Sequence, residues 1–267
     1  MQRYNHSLVE RKWLSIVSQE KHQKDSLPRV GTVLVPGDSE AVELENARLL
    51  VLADFFASVR WGRDFRHEVV SGDGRLMRSI ERLGIIWRPA EQGCSWDFAV
   101  APRDFPHLSG SLPCSETFLC GRLLEGMALS DLLLDFGGDA LRIYFLFQGP
   151  PERDYRFNWR NLVSAHRFVQ RVWRLGQKVE AAGSETQEGP MAELAGVVQA
   201  RIARRKPHTA LAAIMAFLQN KTALSEWEVR VAADILKPFT PFLSAELLSL
   251  VAAVQDDDGG QRDQADR

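Results

Sequence analysis

The sequence predicts an α/β portion followed by an all-helical bundle, and three observations lead to this fold class. The apolar run RVGTVLVPG ends in a Pro-Gly turn and precedes the helical pattern ENARLLVLADFFASVRWG, which together make half of a nucleotide-binding α/β unit. From residue 117 onward every periodic segment has helical spacing. Hydrophobic residues make up 45% and charged residues 25% of the 267 residues, as in a globular protein. We expect the α/β portion over residues 1–115 and the bundle over residues 116–253.

The remaining elements of the α/β portion follow from periodicity. Apolar side chains on one face predict a first helix over residues 7–19, with Ser7 as its cap. Residues 74–83 are predicted to form a helix that runs into a short strand or turn at 85–87. Residues 90–113 are rich in Gly, Pro and Ser and lack periodicity, so they are assigned to no element.

The second portion is predicted to be helical almost throughout. Two helices joined at Gly137-Gly138 open it, and further helices follow over residues 164–178 and 191–205. The segments HTALAAIMAFLQNKT and SEWEVRVAADILKPFTPFLSAELLSLVAAV complete the set, with a kink at KPFTP. Residues 181–190 are predicted to be a loop. The charged tail 254–267 lacks apolar residues and is predicted to be disordered.

Composition excludes several classes of protein. The net charge of -2 gives no global basic field, so a nucleic-acid partner would have to meet a local patch. Three cysteines without CxxC spacing and six scattered histidines indicate neither a disulfide framework nor a metal site. The N-terminus has no apolar core, and no run approaches the roughly 18 apolar residues of a membrane span. We therefore expect a cytoplasmic protein without a membrane segment.

One irregular stretch carries a family resemblance. GGDALRIYFLFQGPPERDYRFNWRNLVSAHRFVQRVWRL resembles the segment of leucyl-tRNA synthetases, a class I family, that follows their KMSKS loop. KPHTALAAIMAFLQN and LKPFTPFLSAELL are similar to later helices of the same domain, and YNHSLVERKW, GRLMRSIERLGIIW and GRLLEGMAL resemble earlier segments in the family's order. The resemblance implies a reduced Rossmann-like (HUP-type) portion followed by a bundle like the class Ia anticodon-binding domain. The resemblance also implies that the chain is a shortened, degenerate paralogue of these synthetases that lacks their editing domain.

The two ATP signatures that the resemblance leads us to expect are absent. Alignment of the strand, turn and helix places ELEN where the family has H-x-G-H, so Glu43, Glu45 and Asn46 stand at the histidine-rich helix start. Histidines at that position would stabilise phosphate charge together with the helix dipole, whereas carboxylates oppose it. SDLLLDF stands where K-M-S-K-S is expected and contains no lysine. The sequence therefore predicts no catalytic residues of the ligase type, no ATP binding and no other cofactor or metal.

Cations in the helical portion form two groups that indicate RNA contact. In SAHRFVQRVWRLGQK four of them recur at i, i+4, i+7 and i+11, which places them along one helix face: Arg167, Arg171, Arg174 and Lys178. A second group ends the next helix: Arg201, Arg204, Arg205 and Lys206. Residues 138–250 hold 15 Lys and Arg against 11 Asp and Glu, so this half is locally basic. The alternative interpretation is an ordinary solvated helix face.

These features lead to one principal functional hypothesis and three alternatives. The principal one is a protein that binds tRNA or aminoacyl-tRNA without charging it. The first alternative is an enzyme of specialised metabolism that uses aminoacyl-tRNA or has otherwise been recruited. The second is a scaffold that binds a protein partner, and the third is residual leucine–tRNA ligase activity.

Overall fold

A computed structural model describes residues 2–17, 27–70, 74–91, 93–105, 114–180 and 189–252. The predicted tail at 254–267 and residues 181–188 of the predicted loop lie outside the described residues.

The first half is built on a five-stranded, all-parallel sheet. Its strands are β1 (Arg29–Val33), β2 (Arg66–Val70), β3 (Arg88–Pro89), β4 (Phe98–Pro102) and β5 (Thr117–Cys120). Their spatial order is β3-β2-β1-β4-β5, so the chain proceeds outward from β1 first in one direction and then in the other. This reversal opens a crevice beside the carboxyl ends of β1 and β4, where open α/β sheets bind ligands.

The described residues of this half include the helices α1 (His6–Val17), α2 (Glu40–Trp61) and α3 (Gly74–Glu81). The predicted helices at 7–19 and 74–83 are confirmed within one or two residues at the described ends. Helix α2 begins where the Ser39 side chain accepts a hydrogen bond from the Val42 amide at 3.3 Å. Its central residues, from Leu44 to Phe55, are buried, because α2 packs on both the sheet and the helical half.

The second half is helical, as predicted. Its helices are α4 (Leu129–Phe136), α5 (Gly138–Phe147), α6 (Trp159–Gly176), α7 (Pro190–Ala203), α8 (Pro207–Gln219), α9 (Glu226–Leu236) and α10 (241–252). A two-stranded parallel ribbon of β6 (Val179–Glu180) and β7 (Leu224–Ser225) lies between α6 and α9. The predicted fold class is thus confirmed.

Five strands fall where the sequence predicts none: β2, β4 and β5 of the sheet and the ribbon strands β6 and β7. Strand β4 lies within the unassigned residues 90–113; all five of its residues are buried, so FAVAP shows no apolar–polar alternation. Strand β5 pairs with β4 beyond residue 115, and the α/β portion therefore continues past the expected boundary. One continuous apolar core joins the two halves, so the sequence offers no linker to mark where one ends.

Asp139 of the GGDALR motif holds α5 against the start of α10. Its carboxyl group, which is buried, accepts hydrogen bonds from the amides of Leu243 at 2.6 Å and Phe242 at 3.3 Å. The hydroxyl of Tyr4 donates to the same carboxyl at 3.1 Å. Burial raises the pKa of Asp139 to about 7. This motif residue therefore caps a helix inside the core.

Arg142 of the same motif joins three parts of the chain. Its fully buried guanidinium forms an ion pair with Asp54 of α2 at 2.8 Å. It also donates to the carbonyls of Leu83, Pro238 and Phe239 at 3.0, 2.6 and 3.2 Å. A guanidinium has five N–H donors, and this arrangement uses them on groups that would otherwise be buried without partners. The motif thus secures the packing of the two halves.

Candidate functional site

The crevice at the sheet's switch point is closed by contacts within the chain. Asn46 on α2 lies behind the turn after β1, where its side chain accepts from the Val35 amide at 2.7 Å and donates to the Val35 carbonyl at 3.0 Å. The bidentate contact fixes the path of the turn. Asn46 is buried and its amide group is used in the fold.

Glu45 is also turned inward and is paired. Its buried carboxylate lies 2.6 Å from Nε of Arg122, which follows β5, and Nη1 of Arg122 contacts Asp104 after β4 at 2.5 Å. Burial raises the pKa of Glu45, and Arg122 opposes that shift. Glu43 is half-buried in the first turn of α2, beside the exposed Glu40. Carboxylates and one paired arginine therefore occupy the position where the H-x-G-H motif of the family would bind phosphate.

The segment after β5 lies directly on the start of α2. A Cβ added to Gly126 would come within 2.4 Å of the Ala41 Cα, so only glycine allows this approach. Arg48 of α2 donates to the carbonyls of Gly121 and Pro151 at 2.9 and 2.8 Å. These contacts hold the chain's own backbone against the helix N-terminus.

The PPERD turn is part of the same closure. Asp154 accepts from the Arg122 amide at 2.7 Å and from the Arg103 guanidinium at 2.8 Å. The Pro151 carbonyl also accepts from the Gly121 amide at 3.0 Å. The turn that contributes to the family resemblance thus ties the helical half to the ends of β4 and β5.

The cations predicted on α6 do not all have the same environment. Arg167, Arg174 and Lys178 are exposed. Arg171 is half-buried, and its guanidinium donates to the carbonyls at the C-terminal end of α8, to Leu218 at 2.9 and 3.0 Å and to Lys221 at 3.0 Å, with a further bond to Gln219. Arg171 is therefore a helix cap that joins α6 to α8.

Helix α6 begins at Trp159, five residues before the predicted start, and this adds Arg160 to the cationic face. Arg160 is exposed and lies seven residues, or two turns, before Arg167. Its position seven residues before Arg167 could have identified Arg160 in the sequence, but only if the helix had been predicted to begin before residue 160. The helix ends at Gly176, so Lys178 lies two residues beyond it and not on the helix as predicted. We call the exposed residues Arg160, Arg167 and Arg174 of α6, together with Lys178, the α6 cationic face.

A pocket of about 310 Å³ lies where the end of this face meets α8 and the turn that follows it. Four cationic side chains and two small polar ones are among its lining residues: Arg171, Arg174, Lys178, Lys221, Asn220 and Thr222. Among the described residues that line it, none carries a carboxylate. Lys221 pairs with the buried Glu228 at 2.5 Å. We call this the α6–α8 pocket.

The second predicted cluster lies at the other end of α8, roughly 20 Å away for a helix of this length. Arg201 donates to the Thr209 carbonyl at 2.6 Å. Arg205 pairs with Glu116 at the start of β5 and lies over the Phe118 ring at 5.4 Å. Arg204 and Lys206 are exposed. The structure therefore does not bring the two predicted clusters together. Within the second cluster, Arg201 and Arg205 are bound to other groups of the fold.

Other reactive groups form no site in the described part of the chain. His166 is half-buried and contacts the Phe136 carbonyl at 3.3 Å, and desolvation lowers its pKa. Burial raises the pKa of the Cys120 thiol to about 12, far from a nucleophile's range. Among the described residues there is no group of three or more potential metal ligands. In the same residues, no helix is both long and apolar enough to cross a membrane.

Comparison with known proteins gives the relationship. No family model matches the chain. The leucine–tRNA ligase of Synechococcus sp. (strain JA-3-3Ab) is 28% identical over 159 residues, covering 46% of this chain and 18% of the ligase. That of Nitratidesulfovibrio vulgaris (strain DP4) is 31% identical over 157 residues, again 46% of this chain and 18% of the ligase. The chain is related to leucine–tRNA ligases. The predicted resemblance is thus confirmed, and this leucyl-tRNA synthetase-like chain spans less than a fifth of these relatives.

The fold is also that of a class I synthetase. The free methionyl-tRNA synthetase of Mycobacterium tuberculosis aligns with a TM-score of 0.60 over 85% of this chain and 92% of that one. The two are only 11% identical, so the likeness concerns the fold alone. It agrees with the parallel sheet and the helical half of this leucyl-tRNA synthetase-like chain.

Proposed function

We propose that this leucyl-tRNA synthetase-like protein binds tRNA or aminoacyl-tRNA through the α6 cationic face and does not activate leucine with ATP. The observation that carries the proposal is the combination of a row of exposed cations with a nucleotide crevice that is closed by internal ion pairs. The relatives are, by their name, enzymes that join leucine to tRNA.

The cationic face supports the RNA-binding half of the proposal. Three of its residues, Arg160, Arg167 and Arg174, span 14 positions of α6, about 21 Å at 1.5 Å per residue, and Lys178 follows two residues after the helix ends. Cations in a line can neutralise successive phosphates and release their counterions, which gives affinity without sequence reading. With Arg171 used as a cap, Arg160 gives α6 three exposed cations, and Lys178 beyond the helix end is the fourth of the face.

The crevice supports the second half. Where H-x-G-H residues would meet phosphate, Glu45 and Asn46 are buried and hydrogen-bonded to the fold, and Glu40 and Glu43 add negative charge at the start of α2. Loss of one transition-state donor costs about 2.7–4 kcal/mol, and two histidines are missing here. The lysine-free SDLLLDF segment forms the helix α4 and supplies no cation.

The first experiment measures tRNA binding with charge-matched variants. We expect the wild-type protein to shift bulk tRNA in a gel assay at 50 mM salt, a concentration at which phosphate contacts are strong. The double variant Arg160→Gln/Arg167→Gln removes two cations from the face, whereas Arg11→Gln/Lys237→Gln removes two exposed cations from other elements. The first variant should bind at least tenfold more weakly, and the second should bind like the wild type. Equal affinities of the two variants would contradict the assigned face.

The second experiment is ATP–pyrophosphate exchange with leucine. We expect no leucine-dependent exchange, because the crevice offers carboxylates and the paired Arg122 in place of phosphate donors. Clear exchange would overturn this half of the proposal. A protein that co-purifies with a stable protein partner, and binds no tRNA, would instead support the scaffold hypothesis.

A further inference from the structure

We infer that the α6–α8 pocket is a phosphate site that receives a backbone phosphodiester of the bound RNA. The inference rests on the proposed RNA binding and adds to it one defined contact point on the surface. It depends on the shape and lining of the pocket, and the sequence pattern alone does not reveal it.

Arg174 and Lys178 supply the free charge. Arg174 lies in the last turn of α6 and Lys178 lies two residues beyond its end; both are exposed, and both line the pocket. Nε of Arg174 donates to the Gln170 carbonyl of the same helix at 3.2 Å, which orients the guanidinium. The residue is exposed, and a guanidinium can bind two oxygens of one phosphate side by side.

The pocket lies at the C-terminal end of α8, where the helix dipole alone would repel an anion. Arg171 removes this obstacle, because its guanidinium donates to the carbonyls of Leu218, Gln219 and Lys221 at that end. The positive charge of Lys221 is compensated by its ion pair with Glu228, so the net positive charge of the pocket comes from Arg171, Arg174 and Lys178. The helix end is therefore part of a positive pocket.

Neutral donors complete the site. Asn220 and Thr222 are exposed in the turn after α8 and line the same pocket. An amide NH₂ and a hydroxyl can each donate to a phosphate oxygen, as such groups do in protein contacts with nucleic-acid backbones. The pocket volume of about 310 Å³ is ample for one phosphodiester group.

The position of the pocket favours an RNA strand over an acidic peptide. It lies at one end of the α6 cationic face, so a chain bound in the pocket continues past Arg167 and Arg160. A nucleic-acid backbone carries one charge at every residue and can use each of these cations in turn. An acidic peptide that meets the same row would need carboxylates at matching intervals.

The test compares the pocket variant Arg174→Gln/Lys178→Gln with the control Arg11→Gln/Lys237→Gln at several salt concentrations. Each lost phosphate contact should lower the slope of log affinity against log salt by about 0.7 to 0.9. Because the pocket holds one phosphate, we expect the pocket variant to lose about 0.7 to 0.9 from the slope and at least tenfold in tRNA affinity at 100 mM salt. The control should keep the wild-type slope. Folding of all variants is checked by their thermal midpoints.

The outcomes separate this inference from the proposed function. If wild-type protein binds tRNA and the pocket variant keeps its slope, the phosphate site is wrong and RNA binding stands. If wild-type protein binds no tRNA, both fail. If a poly-glutamate peptide binds the pocket as tightly as tRNA does, and the pocket variant loses that binding, the occupant is an acidic peptide and the inference is overturned.

Discussion

Arg171 provides the sharpest test of the structure, because the sequence places it among RNA-binding cations and the fold uses it as a helix cap. In the variant Arg171→Gln the C-terminal end of α8 loses the donors to the carbonyls of Leu218, Gln219 and Lys221. A shorter amide reaches at most one of them. We therefore expect a loss of stability that a surface cation would not produce.

The magnitude follows from the number and environment of these bonds. A hydrogen bond from a charged group contributes about 1.5–3 kcal/mol, and leaving a partner unsatisfied costs about 1–3 kcal/mol. The three carbonyls are partly exposed, so water replaces some of the lost donors and the values do not add. We expect the free energy of unfolding to fall by about 2 kcal/mol. For a chain of this size that lowers the thermal midpoint by about 4–8 °C.

The assay is urea unfolding followed by circular dichroism, with thermal unfolding as a second measurement. Arg174→Gln is the matched control, since this residue lies on the same helix, three positions away, and is exposed. Its free energy of unfolding should stay within about 0.5 kcal/mol of the wild type. Arg171→Lys keeps the charge but not the planar fork, and it should recover about half of the loss.

Equal stability of Arg171→Gln and Arg174→Gln would refute this reasoning, because it would mean that the carbonyls at the end of α8 do not depend on the guanidinium. A fall in tRNA affinity without a fall in stability would return Arg171 to the phosphate-binding group that the sequence predicts.

Two further outcomes test the core contacts of the GGDALR motif. Asp139 has its folded pKa raised from 3.8 to about 7, so its contribution to stability is fully present below pH 4 and is lost as the pH rises toward 7. Between pH 5 and pH 7 the wild type should lose roughly 2–3 kcal/mol of unfolding free energy relative to Asp139→Asn, whose side chain cannot ionise. Urea titrations at several pH values measure this difference, and parallel pH profiles of the two proteins would contradict it. Gly138→Ala should cost about 3 kcal/mol, because its Cβ would lie 1.9 Å from the Arg82 carbonyl oxygen. Gly196→Ala, in open space on α7, should be neutral or slightly stabilising in the same thermal unfolding experiment, and equal effects of the two changes would disprove the steric argument.

Local patterns predicted most helices because helical periodicity is a short-range signal. Helix α2 and the helices of the second half appear as apolar stripes in the sequence, and their structural bounds differ by only a few residues. Strand β4 escaped prediction because a fully buried parallel strand has no alternation. Strand β5 has only four residues, and it becomes a strand through its pairing with β4.

The candidate site was predictable in its residue types and not in their roles. Spacing on one helix places Arg167, Arg171, Arg174 and Lys178 along one side. Spacing does not show that α8 ends beside Arg171 and takes up its guanidinium. In the same way the sequence shows that residues 43–46 contain no histidine. It does not show that Glu45 forms an ion pair with Arg122, which lies 77 positions away along the chain.

The sequence by itself determined three things: the relationship to leucine–tRNA ligases, the order of an α/β part before a helical part, and the absence of the two ATP signatures. All three depend on residue identities and on neighbours along the chain. Only the tertiary structure decided which charged residues are free. Arg142, Arg171 and Arg205 are each bound to groups far away in the chain, and Arg160, Arg174 and Lys178 remain exposed. The reason is physical: the buried guanidinium of Arg142 and the half-buried one of Arg171 must be paired, and packing brings their partners to them, as it brings Glu116 to the exposed Arg205.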